Sequence, residues 1–288
     1  MLVAQALRSG NIDRLDRELL LASVLKKDRA FLLSHPEHIL SPRKIQHFKK
    51  LIGRREHHEP LAYILGEKEF FGISFLVNRS TLIPRPETEI IVEDVLKQFS
   101  RLKTLVNKKI AVVDVGTGSG CIIISVVKNL LLLKKDLNTI SFFAVDTSLR
   151  ALNTAHSNAK RHDADKNIQF VHSNLLTQLK KQLLSFDEII ILANLPYLSE
   201  KLYQTTPSTV QHFEPKSALL SGQDGLNHYR ALLKQLKSLS PGKRIEFWLE
   251  ISPEQASVAR ALLQEHSAIL DEILPDLAEK FRVIKGHF

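Results

Sequence analysis

Cysteine is almost absent from these 288 residues: Cys121 is the single one. That excludes an internal disulfide and any zinc site built from several thiolates. No apolar run approaches the ~18 residues that a membrane-spanning helix needs. Leu130–Leu133 is only a short apolar stretch. The opening Met-Leu-Val-Ala-Gln-Ala-Leu-Arg shows none of the basic, apolar and small-residue regions of a signal peptide, so a cytoplasmic location is expected. Internal repeats and low-complexity segments are missing too. Histidine offers no metal site. His57 and His58 are adjacent beside Glu56 and Glu59, not spaced one helical turn apart, and read as a solvated surface. Cys121 opens an apolar helix and is expected to pack there without a nucleophilic role.

What is present is an ordinary globular composition, 44% hydrophobic and 25% charged, with a formal net charge of +9. The length suits one α/β domain with a smaller companion. Residues 1–72 carry 13 Lys and Arg against 9 Asp and Glu. A mildly basic surface of this kind is compatible with nucleic acid, but also with simple solvation.

Leu15, Leu19, Leu20 and Val24, then Ile45, Phe48, Leu51 and Ile52, recur at helical spacing, which predicts a small helical bundle over residues 1–68. From 69 to 84 the pattern changes. Phe70, Phe71, Ile73, Phe75 and Val77 surround Gly72 and predict a β-hairpin linker. Residues 85–288 alternate strand and helix, which predicts a mainly parallel sheet covered on both faces. Strands are expected at Ile110–Asp114, Ser141–Val145, Ile168–Val171, Glu188–Leu192 and Ile245–Ile251. Helices are expected near Cys121–Leu133, Ser148–His162 and Leu175–Leu184. The last two strands, Ala268–Leu274 and Phe281–Lys285, leave no room for a helix and should form an antiparallel hairpin at one edge.

Four places carry chemistry. Asp114-Val115-Gly116-Thr117-Gly118-Ser119-Gly120 lies between a strand and a helix, where glycines let the backbone turn sharply and approach a ligand. The spacing is G-x-G-x-G, so the third glycine comes one position early for a dinucleotide fingerprint, and a dehydrogenase is disfavoured. Asp146 ends the next strand, placed to accept both hydrogens of a ribose diol; capping the following helix is the alternative. Asn174, with Leu175, follows the third strand. It could reach an adenine amino group, or serve only the turn. Asn194-Leu195-Pro196-Tyr197 ends a buried strand at the sheet's carboxyl edge. The Asn194 side-chain oxygen and the Leu195 carbonyl could each accept one hydrogen of a planar NH₂ group lying against Tyr197.

The glycine loop, the acidic second strand and Asn-x-Pro-Tyr together resemble the class I methyltransferases that modify planar nitrogens. Pro60-Leu61-Ala62-Tyr63-Ile64-Leu65-Gly66-Glu67, Glu69-Phe70-Phe71-Gly72 and Leu82-Ile83-Pro84-Arg85-Pro86-Glu87-Thr88-Glu89 closely resemble the HemK/PrmC family, the release-factor glutamine methyltransferases. Phe213-Glu214-Pro215-Lys216-Ser217-Ala218-Leu219 and Gly222-Gln223-Asp224-Gly225-Leu226 fit it as well. Two positions depart from the family: Leu195 stands where Pro is usual, and Asn174 where Asp is usual. Asn-Leu-Pro-Tyr is the form of the rRNA adenine dimethyltransferases, so an adenine N6 methyltransferase of RNA or DNA is the alternative.

The resemblance implies a Rossmann-like, seven-stranded methyltransferase domain at 85–288 and a substrate-docking domain at 1–68. It implies S-adenosylmethionine as cofactor, S-adenosylhomocysteine as product and peptide chain release factors as partners, with no membrane, metal or nucleic acid required. Asp114, Gly116, Thr117, Gly118, Ser119, Gly120, Asp146, Asn174, Leu175 and Asn194 would hold the cofactor, and Asn194, Leu195, Pro196 and Tyr197 the acceptor. Arg85 and Glu87 either shape the acceptor pocket or form a salt-bridged linker. No Asp, Glu or His is expected to act as an essential general base.

Overall fold

The structure is a computed structural model that describes residues 1–101, 108–133 and 137–288. Two compact units are present: Met1–Glu67 with Pro207–Phe213, and Lys68–Thr206 with Glu214–Phe288.

The first unit contains α1 (Val3–Ala6), α2 (Arg14–Leu25), α3 (Arg29–Ser34), α4 (Pro42–Glu56) and α5 (Leu61–Leu65). Its helix starts are written locally. Asp13, Asp28 and Ser41 each accept a backbone N–H of the first turn, and Pro42 follows Ser41 where its missing N–H costs nothing. Leu20, Leu21, Leu25, Leu32, Phe48, Leu51 and Ile52 form its core. Glu18 is buried there between Arg14 and Arg29, whose hydrogen bonds hold its carboxyl below the usual range.

In the second unit, β1 (Glu67–Phe70) and β2 (Ile73–Leu76) pair across a two-residue loop, Phe71-Gly72. Both loop residues have positive φ, 50° and 73°, the twist that matches a tight hairpin. Then come α6 (Glu89–Arg101), β3 (Ile110–Val115), α7 (Cys121–Leu132), β4 (Ile140–Asp146), α8 (Leu149–Arg161), β5 (Ile168–His172), α9 (Lys180–Leu183) and β6 (Glu188–Ala193). The chain continues through α10 (Glu200–Thr205), α11 (Ser208–Phe213, in the first unit), α12 (Asn227–Leu239), β7 (Arg244–Glu250), α13 (Ala256–Glu265), β8 (Ile269–Pro275) and β9 (Phe281–His287). The hairpin is fastened to α8: Asn158 Oδ1 accepts from Leu76 N at 2.7 Å, and its Nδ2 donates to the Leu76 carbonyl at 3.0 Å.

The seven-stranded sheet runs β5-β4-β3-β6-β7-β9-β8. β3 through β7 pair in parallel; β9 is antiparallel to both β7 and β8. This is the Rossmann-like sheet with an antiparallel C-terminal hairpin that the sequence predicts. Alternate residues serve opposite cores: Ala111, Val113 and Val115 of β3 face one, Ile110 and Val112 the other. Burial on both faces explains the unbroken apolar runs. β8 is one of the sheet's two edges, and its exposed Asp271 and Glu272 keep it unattractive to further strands.

The helix expected at Leu175–Leu184 is only the four-residue α9. Leu175 takes φ +50°, which stops a helix from starting, and Gln235 Oε1 and Ser173 Oγ accept the Leu176 and Gln178 N–H groups. Leu175, Leu176, Leu179 and Leu183 still reach the core, so helical spacing arises without a helix over its length. Among the described residues no helix is long and apolar enough to cross a membrane.

Candidate active site

Strand order reverses between β3 and β6, and a crevice opens at their carboxyl ends. The glycine loop follows β3; Asn194 follows β6 directly beside it. The crevice holds a cavity of about 330 Å³, within the ordinary range for a small-molecule site. Its wall includes Gly116, Thr117, Gly118, Ser119, Asp146, Asn174, Leu175, Asn194, Leu195 and Pro196. Asp114, Gly120, Tyr197, Arg85 and Glu87 lie outside that wall.

The loop is pinned to the neighbouring strand. Gly116 N and Thr117 N both donate to the Val145 carbonyl, at 2.8 and 2.9 Å. Gly118 N donates to Asp146 Oδ2 at 2.9 Å, while Asp146 Oδ1 takes the Ser148 N–H at 2.8 Å. Burial raises the Asp146 carboxyl, and these backbone donors oppose the rise. Ser148, not Asp146, caps α8. Asp146 is therefore fixed by backbone at both oxygens, each with a lone pair left for a diol.

Beneath the loop Asp114 is fully buried. Thr117 Oγ1 donates to its Oδ2 at 2.7 Å, and Oδ1 has no hydrogen-bond partner. Burial pushes this carboxyl up to about 7, against the Thr117 bond. Asp114 thus stands behind the cavity wall and orients Thr117, which lines it. Cys121 also lines the cavity, and burial pushes its thiol up to about 12, so it is inert. The Asn174 carbonyl, not its side chain, makes the local turn bonds, from Thr177 N and Oγ1. Its amide is therefore available to the cavity. Leu175, beside it, holds the left-handed backbone noted above, a strained conformation of the kind found at ligand sites.

At the carboxyl end of β6, Asn194 Nδ2 donates to Thr88 Oγ1 at 3.0 Å, which turns Oδ1 away from that bond. Among the described residues neither Asn194 Oδ1 nor the Leu195 carbonyl accepts a hydrogen bond. The Leu195 N–H goes to Tyr229 Oη at 3.3 Å, and Tyr229 in turn donates to the Glu250 carbonyl. Tyr197 Oη donates to Glu250 Oε1 at 3.3 Å. Its backbone carbonyl accepts from Gln255 Nε2 at 2.8 Å, in a space that only a glycine at 225 leaves open. Arg85 is paired with buried Glu214, whose Oε2 also takes the Ile83 N–H at 3.1 Å; Glu87 lies 4.0 Å from Arg282. For Arg85 the linker role is the one the contacts describe.

Thr88, Glu250, Tyr229 and Glu214 were not singled out from the sequence. The available signal is Glu250, a carboxylate that follows the apolar Phe247-Trp248-Leu249 at the end of β7 and has to find polar partners once buried. Among the described residues no group of three or more His, Cys, Asp or Glu could hold a metal ion.

Two regions match family models: residues 2–66 the PrmC N-terminal domain, and residues 106–239 a methyltransferase domain. A release factor glutamine methyltransferase of Clostridium botulinum is 36% identical over 274 residues, covering 95% of this chain and 91% of that protein. The chain belongs to the release factor glutamine methyltransferase family. A family member from Nitratidesulfovibrio vulgaris is 39% identical over 80% of this chain and 74% of its own length. The chain also matches a bifunctional methyltransferase of Rickettsia bellii at 34% identity, there spanning only 51% of the longer protein. The hMettl16 catalytic domain, solved in complex with the MAT2A 3′UTR hairpin 6, shares the fold at TM-score 0.53 and 16% identity, covering 79% of each chain.

Proposed function

We propose that this enzyme methylates the N5 amide nitrogen of the glutamine in the Gly-Gly-Gln motif of peptide chain release factors, in support of translation termination. The methyl donor is S-adenosylmethionine and the product S-adenosylhomocysteine. The observation that carries the reading is the Asn194 amide, tied through Nδ2 to Thr88 with Oδ1 left free on the cavity wall.

The residues fit the cofactor. Asp146 would take the ribose hydroxyls, Asn174 and Leu175 the adenine, and the Gly116–Ser119 backbone, braced from behind by Asp114 through Thr117, the amino-acid portion. The bound sulfonium supplies an electrophilic methyl group. The acceptor amide would give one hydrogen to Asn194 Oδ1 and the other to the Leu195 carbonyl, with its plane along Tyr197. Both bonds draw electron density toward nitrogen and favour the pyramidal geometry it adopts as its lone pair forms the N–C bond and the S–C bond breaks. One amide proton then leaves to water. Nothing in this sequence requires a strong base. Leu195 contributes only its carbonyl, so a leucine serves where the family usually has proline. The N-terminal bundle is proposed to dock the release factor.

Labelled S-adenosylmethionine offered with a purified release factor, and with the factor whose Gly-Gly-Gln glutamine is replaced, tests this. Label on the intact factor alone supports it; label on rRNA or DNA with the factor blank contradicts it.

A further inference from the structure

The residue whose carbonyl forms half of the proposed clamp is held by its N–H. Leu195 is 4% exposed, and its N–H donates to Tyr229 Oη at 3.3 Å. Tyr229 is itself 2% exposed on α12, and its hydroxyl donates to the backbone carbonyl of Glu250 at the end of β7. One hydroxyl thus ties the segment after β6 to the end of β7. We infer that Tyr229 is a positioning residue, whose hydroxyl fixes the backbone of Leu195 and with it the direction of the Leu195 carbonyl. The inference rests on the glutamine-transfer reading above.

The sheet cannot set that direction alone. Pairing of β6 with β3 and with β7 ends at Ala193, two residues earlier. Pro196, the next residue along, has no N–H to bond. Side chains take over where the ladder stops: Tyr229 Oη holds the N–H of Leu195, and Gln255 Nε2 holds the carbonyl of Tyr197 at 2.8 Å. The Leu195 carbonyl lies between these two fastenings. A tyrosine hydroxyl both donates and accepts, and here it does both. Without it the Leu195 N–H is a buried donor lacking an acceptor, a cost that the backbone relieves by turning.

This need belongs to a leucine at 195. A proline would have no N–H to satisfy, and its ring would hold φ covalently at about −65°. Leu195 lies on the negative side of φ, which a proline can also adopt. The chain therefore holds by a hydrogen bond from α12 a backbone that a proline would hold by its own ring.

Steady-state transfer to the release factor, with cofactor Kd and melting temperature measured separately, tests this on Tyr229→Phe in three backgrounds. These are the wild type, Leu195→Ala, which keeps the N–H, and Leu195→Pro, which lacks it. In the first two, Tyr229→Phe should lower kcat about tenfold to a hundredfold, as loss of alignment does, with cofactor Kd unchanged. In Leu195→Pro the same substitution should cost no more than about twofold, the scatter between uncoupled changes. A merely structural tyrosine would instead lower melting temperature and kcat alike in all three, through its lost bond to the Glu250 carbonyl. Full kcat in Tyr229→Phe, or an equal loss in the Leu195→Pro background, overturns the inference while leaving glutamine transfer intact. Should Leu195→Pro fail to fold, Tyr229→Phe alone decides: a fall in kcat with cofactor Kd unchanged supports the inference, and a fall in both overturns it. A wild-type chain that leaves the factor unlabelled overturns the transfer reading, and this inference with it.

Discussion

A β-carbon placed on Gly116 would lie 2.9 Å from Leu195 Cδ2, so the glycine loop and the Asn194–Tyr197 motif meet in van der Waals contact. The two segments are distant in sequence, yet β3 and β6 are hydrogen-bonded neighbours with Val115 beside Ala193. Gly116→Ala would also force alanine to φ +76°. The expected outcome is a folded protein with cofactor affinity reduced at least tenfold, read by calorimetric titration with S-adenosylmethionine. Unchanged affinity would show that the loop does not hold the ligand.

Asp146→Asn keeps the shape of the proposed ribose site but removes its charge. Charge-assisted hydrogen bonds contribute about 1.5–3 kcal/mol, so cofactor Kd should rise about tenfold to a hundredfold. Transfer at saturating cofactor should change much less.

Gly225 lets the proposed acceptor and cofactor sites be tested apart. Its φ is +80°, and a β-carbon there would sit 2.1 Å from the Tyr197 carbonyl. Gly225→Ala should displace Tyr197 and cut methyl transfer to the release factor while leaving cofactor binding near normal. Loss of both together would mean that the two halves of the cavity are not separately built.

How far these sites could be read from sequence follows from how local each one is. The glycine loop, Asp146 and Asn194 each end a strand, and strand ends converge at the carboxyl edge of a parallel sheet, so alternation alone brought them together. Thr88 and Glu250 reach the same place from 106 residues before Asn194 and 53 residues after Tyr197. No spacing rule connects them, because side chains meet there through sheet order and not along the chain. Arg85 shows the same limit. Its partner, Glu214, lies 129 residues away, so the sequence could not choose between a pocket wall and a linker ion pair. At Leu175 the limit is of another kind, since buried leucines at helical spacing satisfy the core there through a turn.

Glu214 should prove structural. Its replacement by Ala leaves the buried Ile83 N–H without an acceptor, an expected loss of about 1–3 kcal/mol in denaturant unfolding. A stability unchanged from wild type would contradict the role given to the Arg85–Glu214 pair.

Ionising Glu250 works against the fold. Burial pushes its carboxyl up to about 7 in the folded chain, above the ordinary value of 4.5. The folded state therefore holds this proton more tightly than the unfolded one. Stability from this group is fully present below about pH 4.5 and is lost as pH rises through about 7. Wild type should lose more melting temperature between pH 5 and 8.5 than Glu250→Gln does. Parallel curves for the two proteins would contradict it.

The central claim is that Asn194 Oδ1 and the Leu195 carbonyl receive a glutamine amide, and one comparison tests it most directly. Transfer of labelled methyl to a release factor would be measured for wild type and Asn194→Ala, with rRNA and DNA as parallel acceptors and cofactor Kd as control. The account predicts label on the intact factor only, absent when its Gly-Gly-Gln glutamine is replaced. It also predicts transfer about a hundredfold to a thousandfold slower in Asn194→Ala, as for loss of one aligned transition-state hydrogen bond. Label on nucleic acid with the factor blank, or an Asn194→Ala enzyme as fast as wild type, would contradict it.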